Sequence, residues 1–180
     1  MLDKNIWTIG HSTRSLEEFI AMLRSFGIGL LADIRSFPGS RRYPHFNKEA
    51  LSVSLEKENI GYVHFPSLGG RRKAKPDSVN TAWRVAAFRG YADYMETEEF
   101  QKAIVNLEGL ALENPTAYMC SEAVWWRCHR SLVSDYLKIR GWQVHHIMDI
   151  GKATEHPYTS AAHIKQGELF YNDDEIPDSG

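Results

Sequence analysis

Apolar and polar positions along this chain switch repeatedly between a period of two and a period near 3.6, the mark of strands alternating with helices. Ile6-Trp7-Thr8-Ile9 predicts a short first strand that ends at Gly10-His11-Ser12. Ser15 opens a helix, with Glu18 three residues on as its capping-box partner. Leu16, Phe19, Ile20, Leu23 and Phe26 follow at helical spacing, and Gly27 supplies a left-handed residue past the end. The run Leu30-Leu31-Ala32-Asp33-Ile34 reads as a buried strand, followed by the loop RSFPGSRRYPHF. Asn47 caps a helix expected over residues 48–57. Tyr62-Val63-His64-Phe65 is a third strand, and the loop SLGGRRKAKPD after it is glycine-rich and basic.

Residues 80–95 are expected to be helical, with Gly90 weakening the middle. Thr97 caps a further helix whose apolar face is Phe100, Ala103, Ile104, Leu107 and Leu110. A fourth strand is expected over residues 116–120, a helix over 131–140 with Gly141 as terminator, and a fifth strand over 142–148. The rest reads as tail. The expected organisation is one domain over residues 1–170, with an acidic, mobile segment at 171–180.

Strands separated by helices predict an α/β domain of three layers, with about five mainly parallel strands and helices on both faces. Ligands in such sheets bind outside the carboxyl ends of the strands. The loops at that edge are residues 10–14, 35–46, 67–75 and 121–130. They carry Arg35, Arg41, Arg42, Arg71, Arg72, Arg127 and Arg130. The whole chain has a formal charge of −2, so no general attraction to nucleic acid is expected and a basic site must be local. No apolar run approaches the about 20 residues of a membrane span, and the first residues lack a signal-peptide core. Two cysteines, Cys120 and Cys128, give no disulfide framework, which fits the reducing cytoplasm.

The densest chemistry lies in YMCSEAVWWRCHRSLVSDYL. A thiol beside a helix N-terminus and arginines is favoured as thiolate, and Glu122 or His129 can serve as general acid or base. Taken singly, either cysteine also fits a buried small hydrophobe. Together with Glu122, His129 and Arg130 inside eleven residues, the pair fits catalysis equally well. A phosphatase-like loop would need arginine six places after Cys120, where this chain has Trp126 and reaches Arg127 one place later. The order strand, cysteine loop, arginine, serine, helix resembles the rhodanese pattern, with Ala32-Asp33-Ile34-Arg35 similar to its earlier aspartate–arginine element.

Across nearly the whole chain, IGHSTRSLEEF, ADIRSFPGSRR, YVHFPSLGG, FRGYADYM, CSEAVWWRCHR and the late HPYT resemble the family catalogued as domain of unknown function 488. The resemblance places His11, Asp33, Arg35, Pro38, Ser40, Gly69, Gly70, Tyr91, Cys120, Glu122, Cys128, His129 and Arg130 at matching motif positions. A rhodanese-like or flavodoxin-like sheet is the expected topology.

Cys120, Cys128 and His129, with His11 or His145, offer soft metal ligands, but short cysteine pairs and helical His-Glu spacing are missing, so no metal and no cofactor are expected. His145 and His146 are neighbours on a strand and face opposite sides, one toward the surface and one in the core. Gly69 and Gly70 with Arg71 and Arg72 could wrap a phosphate, or form a solvated basic turn. Tyr43, Phe46, Trp125 and Trp126 add aromatic surface suited to base stacking or to core packing. The leading expectation is a thiol-dependent transferase or hydrolase acting on an anionic small molecule or nucleotide. Cys120 would be the nucleophile or a general acid, Glu122 and His129 would manage protons, Cys128 and His11 complete the catalytic set, and Arg35, Arg41, Arg71, Arg72, Arg127 and Arg130 would hold the anion. The alternatives are a non-catalytic nucleic-acid-binding module and a metal-stabilised structural domain.

Overall fold

The computed structural model describes residues 3–172. Its main sheet has six strands: β1 (Asn5–Gly10), β2 (Leu30–Asp33), β3 (Gly61–His64), β4 (Thr116–Cys120), β5 (Gln143–Asp149) and β6 (Lys152–Glu155). Their order across the sheet is β3-β2-β4-β1-β5-β6. The first five are mutually parallel, and β6 adds an antiparallel edge to β5. The five expected strands are therefore present and parallel. In the flavodoxin-like order β1 would lie between β2 and β3; here it lies between β4 and β5.

Right-handed crossovers dictate where the helices go. From β1 to β2 to β3 the chain moves one way along the sheet, so α1 (Leu16–Ser25) and α2 (Lys48–Glu56) share a face. From β3 to β4 to β5 it moves back, so α3 (Ala86–Tyr94), α4 (Glu98–Glu113) and α5 (Arg130–Ile139) cover the other. Two apolar clusters follow. Phe19, Leu23, Leu51 and Leu55 meet Ile9, Ala117 and Met119 on the first face. Tyr91, Phe100, Ile104, Leu132 and Leu137 meet Ile6, Tyr118 and Val144 on the second. The strand period of two then puts Thr8, Cys120 and His146 on the second face, toward α5.

The local signals fared unevenly. Ser15 Oγ accepts the amide of Glu18 at 3.1 Å, and Thr97 Oγ1 accepts that of Phe100 at 3.3 Å. Asn47 precedes α2, but its side chain accepts the Ser40 amide at 2.6 Å and ties down the preceding loop instead of the helix end. The helix expected from residue 80 starts only at Ala86. Asn80 is drawn off by Asp93, whose carboxylate also takes the Lys75 amide and the Ser78 hydroxyl; such side-chain bonds compete with a helix. Gly90, expected as a weak point, is where α3 meets another backbone: a Cβ there would lie 2.3 Å from the carbonyl oxygen of Arg72.

The expected tail is instead structured through residue 172. After β6 come His156, buried in the core, and the hairpin β7 (His163–Lys165) and β8 (Glu168–Phe170). Tyr171, beyond the expected boundary at 170, is 4% exposed and belongs to the second-face cluster. Its anchoring residues are buried singly, without a periodic apolar run to announce them. Residues 173–180 lie outside the described part. Among the described residues no helix is long and apolar enough to cross a membrane.

Candidate functional site

All four carboxyl-edge loops line one cavity of about 610 Å³. Its wall includes His11, Arg35, Phe37, Tyr43, Gly70, Arg71, Glu122 and Arg127, with Cys120, Cys128 and His129 among them.

β4 delivers Cys120 at its last position, and α5 begins two residues after Cys128. Arg130 sits between the two thiols and is 1% exposed. Its Nε donates to Cys120 Sγ at 3.0 Å, and its backbone amide donates to Cys128 Sγ at 3.4 Å. Nη1 donates to Thr8 Oγ1 at 3.0 Å, and Nη2 to the Glu122 carbonyl at 2.8 Å. Burial pushes the Cys120 thiol well up, and the adjacent Cys128 sulfur adds to the effect. Burial acts in the same sense on Cys128, but the Cys120 S–H, the Arg130 charge and the Arg130 amide outweigh it and lower that thiol. Cys128 is thus the more acidic member of the pair.

His129 has its Nε2 2.8 Å from the carbonyl oxygen of Ile34, which can only accept, so Nε2 carries the proton. Burial holds this imidazole below its ordinary range, leaving Nδ1 as a free base 3.4 Å from Cys128 Sγ. Tyr91 packs against the ring with centroids 5.2 Å apart. His11 is also kept neutral: burial lowers it to about 4. Its Nδ1 donates to the Ser12 carbonyl at 2.9 Å, it stacks on Phe46 with centroids 4.4 Å apart, and Nε2 faces Arg35 Nη1 at 3.4 Å.

The expected arginine cluster divides into distinct placements. Arg35 forms a two-pronged pair with Asp33, at 2.9 and 2.8 Å, which offsets its charge. Arg130 lies behind the thiols, with its guanidinium committed to protein acceptors. Arg72 caps the carbonyl of Gly69 and lies 3.6 Å from the Tyr94 ring centroid. Arg41 is exposed outside the cavity lining. Arg71 and Arg127 are exposed at the cavity, and neither forms an ion pair among the described residues.

Gly69 and Gly70 are placed for packing. A Cβ at Gly69 would fall 2.4 Å from Ser36 Oγ, and one at Gly70 would fall 2.5 Å from His129 Nδ1. Glu122 uses its backbone carbonyl within the site, while the residue is exposed at the cavity rim. Tyr43 is half-buried in the wall. Trp125 stacks on His146 at 4.5 Å, a core role, whereas Trp126 is 52% exposed.

Sequence reasoning missed Gly10, Thr8 and Phe37. A Cβ on Gly10 would lie 1.6 Å from the Glu122 carbonyl oxygen, so only glycine lets the thiol loop close over β1. Phe37, 73% exposed, stands 5.4 Å from the Arg71 guanidinium. A glycine ending a strand and a phenylalanine inside a Pro-Gly loop were the available signals. Among the described residues, no group of three or more His, Cys, Asp or Glu side chains is arranged to hold a metal ion.

No curated protein and no solved structure matches the chain. The family profile described as "Domain of unknown function DUF488" matches residues 15–137, from the start of α1 through most of α5 and both cysteines. With two thirds of its length covered in this way, the chain belongs to the DUF488 family.

Proposed function

We propose that the protein is a thiol-dependent transferase or hydrolase acting on an anionic small molecule, with Cys128 as nucleophile and His129 as its base. The observation that carries this reading is the placement of His129 Nδ1, unprotonated and 3.4 Å from Cys128 Sγ, at the wall of the cavity. A cysteine and histidine so placed are the minimal pair for nucleophilic catalysis. The proton of Cys128 passes to His129 Nδ1 as sulfur bonds to the electrophilic atom of the substrate. The leaving group departs and takes that proton. Water, or a second acceptor, then breaks the bond to sulfur and restores the thiol. Arg130 supports the negative sulfur with its backbone amide and its charge. Arg71 and Arg127 hold the anionic group, because among the described residues their charges form no ion pair.

A second reading has its own observation. Phe37 and Trp126 are exposed aromatics close in sequence to arginines, the combination that stacks single-stranded bases. The pairing of Arg35 with Asp33 and the burial of Arg130 weaken it, since both remove charge from the surface a polyanion would touch.

The test is protection of the thiol. Iodoacetamide should modify Cys128, identified by peptide mass, and inorganic pyrophosphate should slow the modification in the wild type but not in an Arg71→Ala/Arg127→Ala double variant. Equal modification with and without pyrophosphate in the wild type would remove the anion from the reading. Modification confined to Cys120 would remove Cys128 as nucleophile.

A further inference from the structure

Behind the thiol pair runs a chain of buried polar groups that the proposed chemistry leaves unused. Thr8 Oγ1, which accepts from Arg130, lies 2.6 Å from His146 Nδ1. His146 Nε2 lies 2.8 Å from His156 Nδ1, and His156 Nε2 lies 2.8 Å from Asp135 Oδ1. Thr8, His146, His156 and Asp135 are all 0% exposed. Four separate elements converge here: β1, β5, the segment after β6, and α5. The same segment gives Thr159, whose amide and hydroxyl bond Asp135 at 3.0 and 2.6 Å, so two residues of the late HPYT motif serve one carboxylate. Tyr171 Oη donates to it as well, at 2.8 Å.

The chain has a direction. Asp135 can only accept, so His156 donates from Nε2. Among the described residues the Thr8 hydroxyl proton has His146 Nδ1 as its acceptor. His146 is held neutral, since burial lowers it to about 2, and so carries one proton. That proton sits on Nε2 and points at His156. Every donation thus runs from Arg130 toward Asp135. The lone pairs of Thr8 Oγ1 are left facing the guanidinium, which has only protons to offer. Trp125 stacks flat on His146 and edge-on to His156, closing the chain to lateral shift.

We infer that Asp135, acting through His156, His146 and Thr8, is a positioning element that holds the Arg130 guanidinium against the thiol pair and so keeps Cys128 reactive. The inference rests on the thiol reading of the site, but its readout needs no substrate. The ionisable groups facing the thiols are Arg130 and His129 at the start of α5, Tyr91 on α3 and Tyr118 on β4. The Glu122 contribution is a backbone carbonyl. Changing Thr8 replaces none of these groups and reaches the thiols through Arg130, whereas changing Asp135 also acts on Tyr118 through its charge.

The experiment follows the pH dependence of Cys128 alkylation by iodoacetamide in the full chain for wild type, Thr8→Val, Thr8→Ser and Asp135→Asn. The tautomers of His146 and His156 are read in parallel by nitrogen-15 NMR. The wild type should show the proton on Nε2 of both rings. Asp135→Asn must keep its oxygen toward the Thr159 amide, which shares Oδ1 with His156, so both rings should stay Nε2–H in that variant. Thr8→Val, which keeps the shape but loses the hydroxyl, should raise the alkylation midpoint by about one pH unit, and Thr8→Ser should restore it. A folded Thr8→Val protein with the wild-type midpoint would overturn the inference, and so would Nδ1–H rings in the wild type. If Asp135→Asn does not fold, the Thr8→Val and Thr8→Ser pair decides alone. A wild-type protein whose Cys128 resists alkylation at every pH, while the rings read Nε2–H, would count against the thiol chemistry and leave the hydrogen-bond direction confirmed.

Discussion

A methyl group on Gly70 would lie 2.5 Å from Nδ1 of His129, the nitrogen that faces Cys128. The glycine loop and the base therefore share one space, and the ring keeps its place because residue 70 has no side chain. Gly70→Ala should push the imidazole off the Ile34 carbonyl or displace the loop. The expected cost is about 1–3 kcal/mol, typical of overpacking, together with slower alkylation of Cys128. Urea melts and alkylation rates check both. A variant with wild-type stability and wild-type rate would show that the loop, and not the ring, sets the contact.

Arg130 should tolerate no basic substitute. Its guanidinium reaches Cys120, Thr8 and the Glu122 carbonyl in three directions, which a lysine ammonium at the end of a flexible stem cannot reproduce from the same position. Arg130→Lys should lose about 3 kcal/mol of stability, the scale for leaving buried polar partners unmatched. Thermal and urea unfolding measure it directly.

Acid should destabilise the fold through its buried histidines. His11 falls to about 4 and His146 to about 2 when folded, against 6.5 for the free side chain. Their folded values are depressed, so the unfolded chain binds more protons below pH 6.5. Stability is then fully present above that value and is lost as pH falls, with the His11 share ending near pH 4. That share is about 3 kcal/mol. A His11→Gln variant should show a correspondingly flatter decline in urea midpoint between pH 6.5 and 4. An unchanged slope would show that His11 is not held neutral.

Anion affinity should depend on Arg71 and Arg127. Calorimetric titration with inorganic pyrophosphate should give about 10-fold weaker binding for either alanine variant, the size of one lost charge-assisted hydrogen bond. Arg41→Ala, outside the cavity lining, should bind as the wild type does.

The parallel sheet was legible because each of its first five strands is a short apolar run followed by a periodic helix. Leu30 to Asp33 is fully buried and reads so from its composition. The converging of four loops on one edge followed from topology alone. What the sequence did not reveal is how charge is spent after folding. Arg35 and Arg130 look like Arg71 in a list, yet one is neutralised by a residue two positions earlier, and one is buried among acceptors supplied by three different segments. The C-terminal part was missed for a related reason. His156, Ala161 and Tyr171 are buried one at a time, so no period marks them. The partners of His156 and Tyr171, namely Asp135 and His146, lie more distant in sequence than any local rule reaches.

The most direct measurement is the alkylation rate of each cysteine as a function of pH, mapped by mass, in wild type, His129→Gln and Cys128→Ser. The expected result is that Cys128 reacts first in the wild type, with a midpoint below the ordinary cysteine range near 8.5. His129→Gln should slow it and raise its midpoint, and Cys128→Ser should leave Cys120 poorly reactive. A wild-type protein in which Cys120 is the acidic thiol, or in which His129→Gln leaves the Cys128 profile unchanged, would contradict the assignment of nucleophile and base.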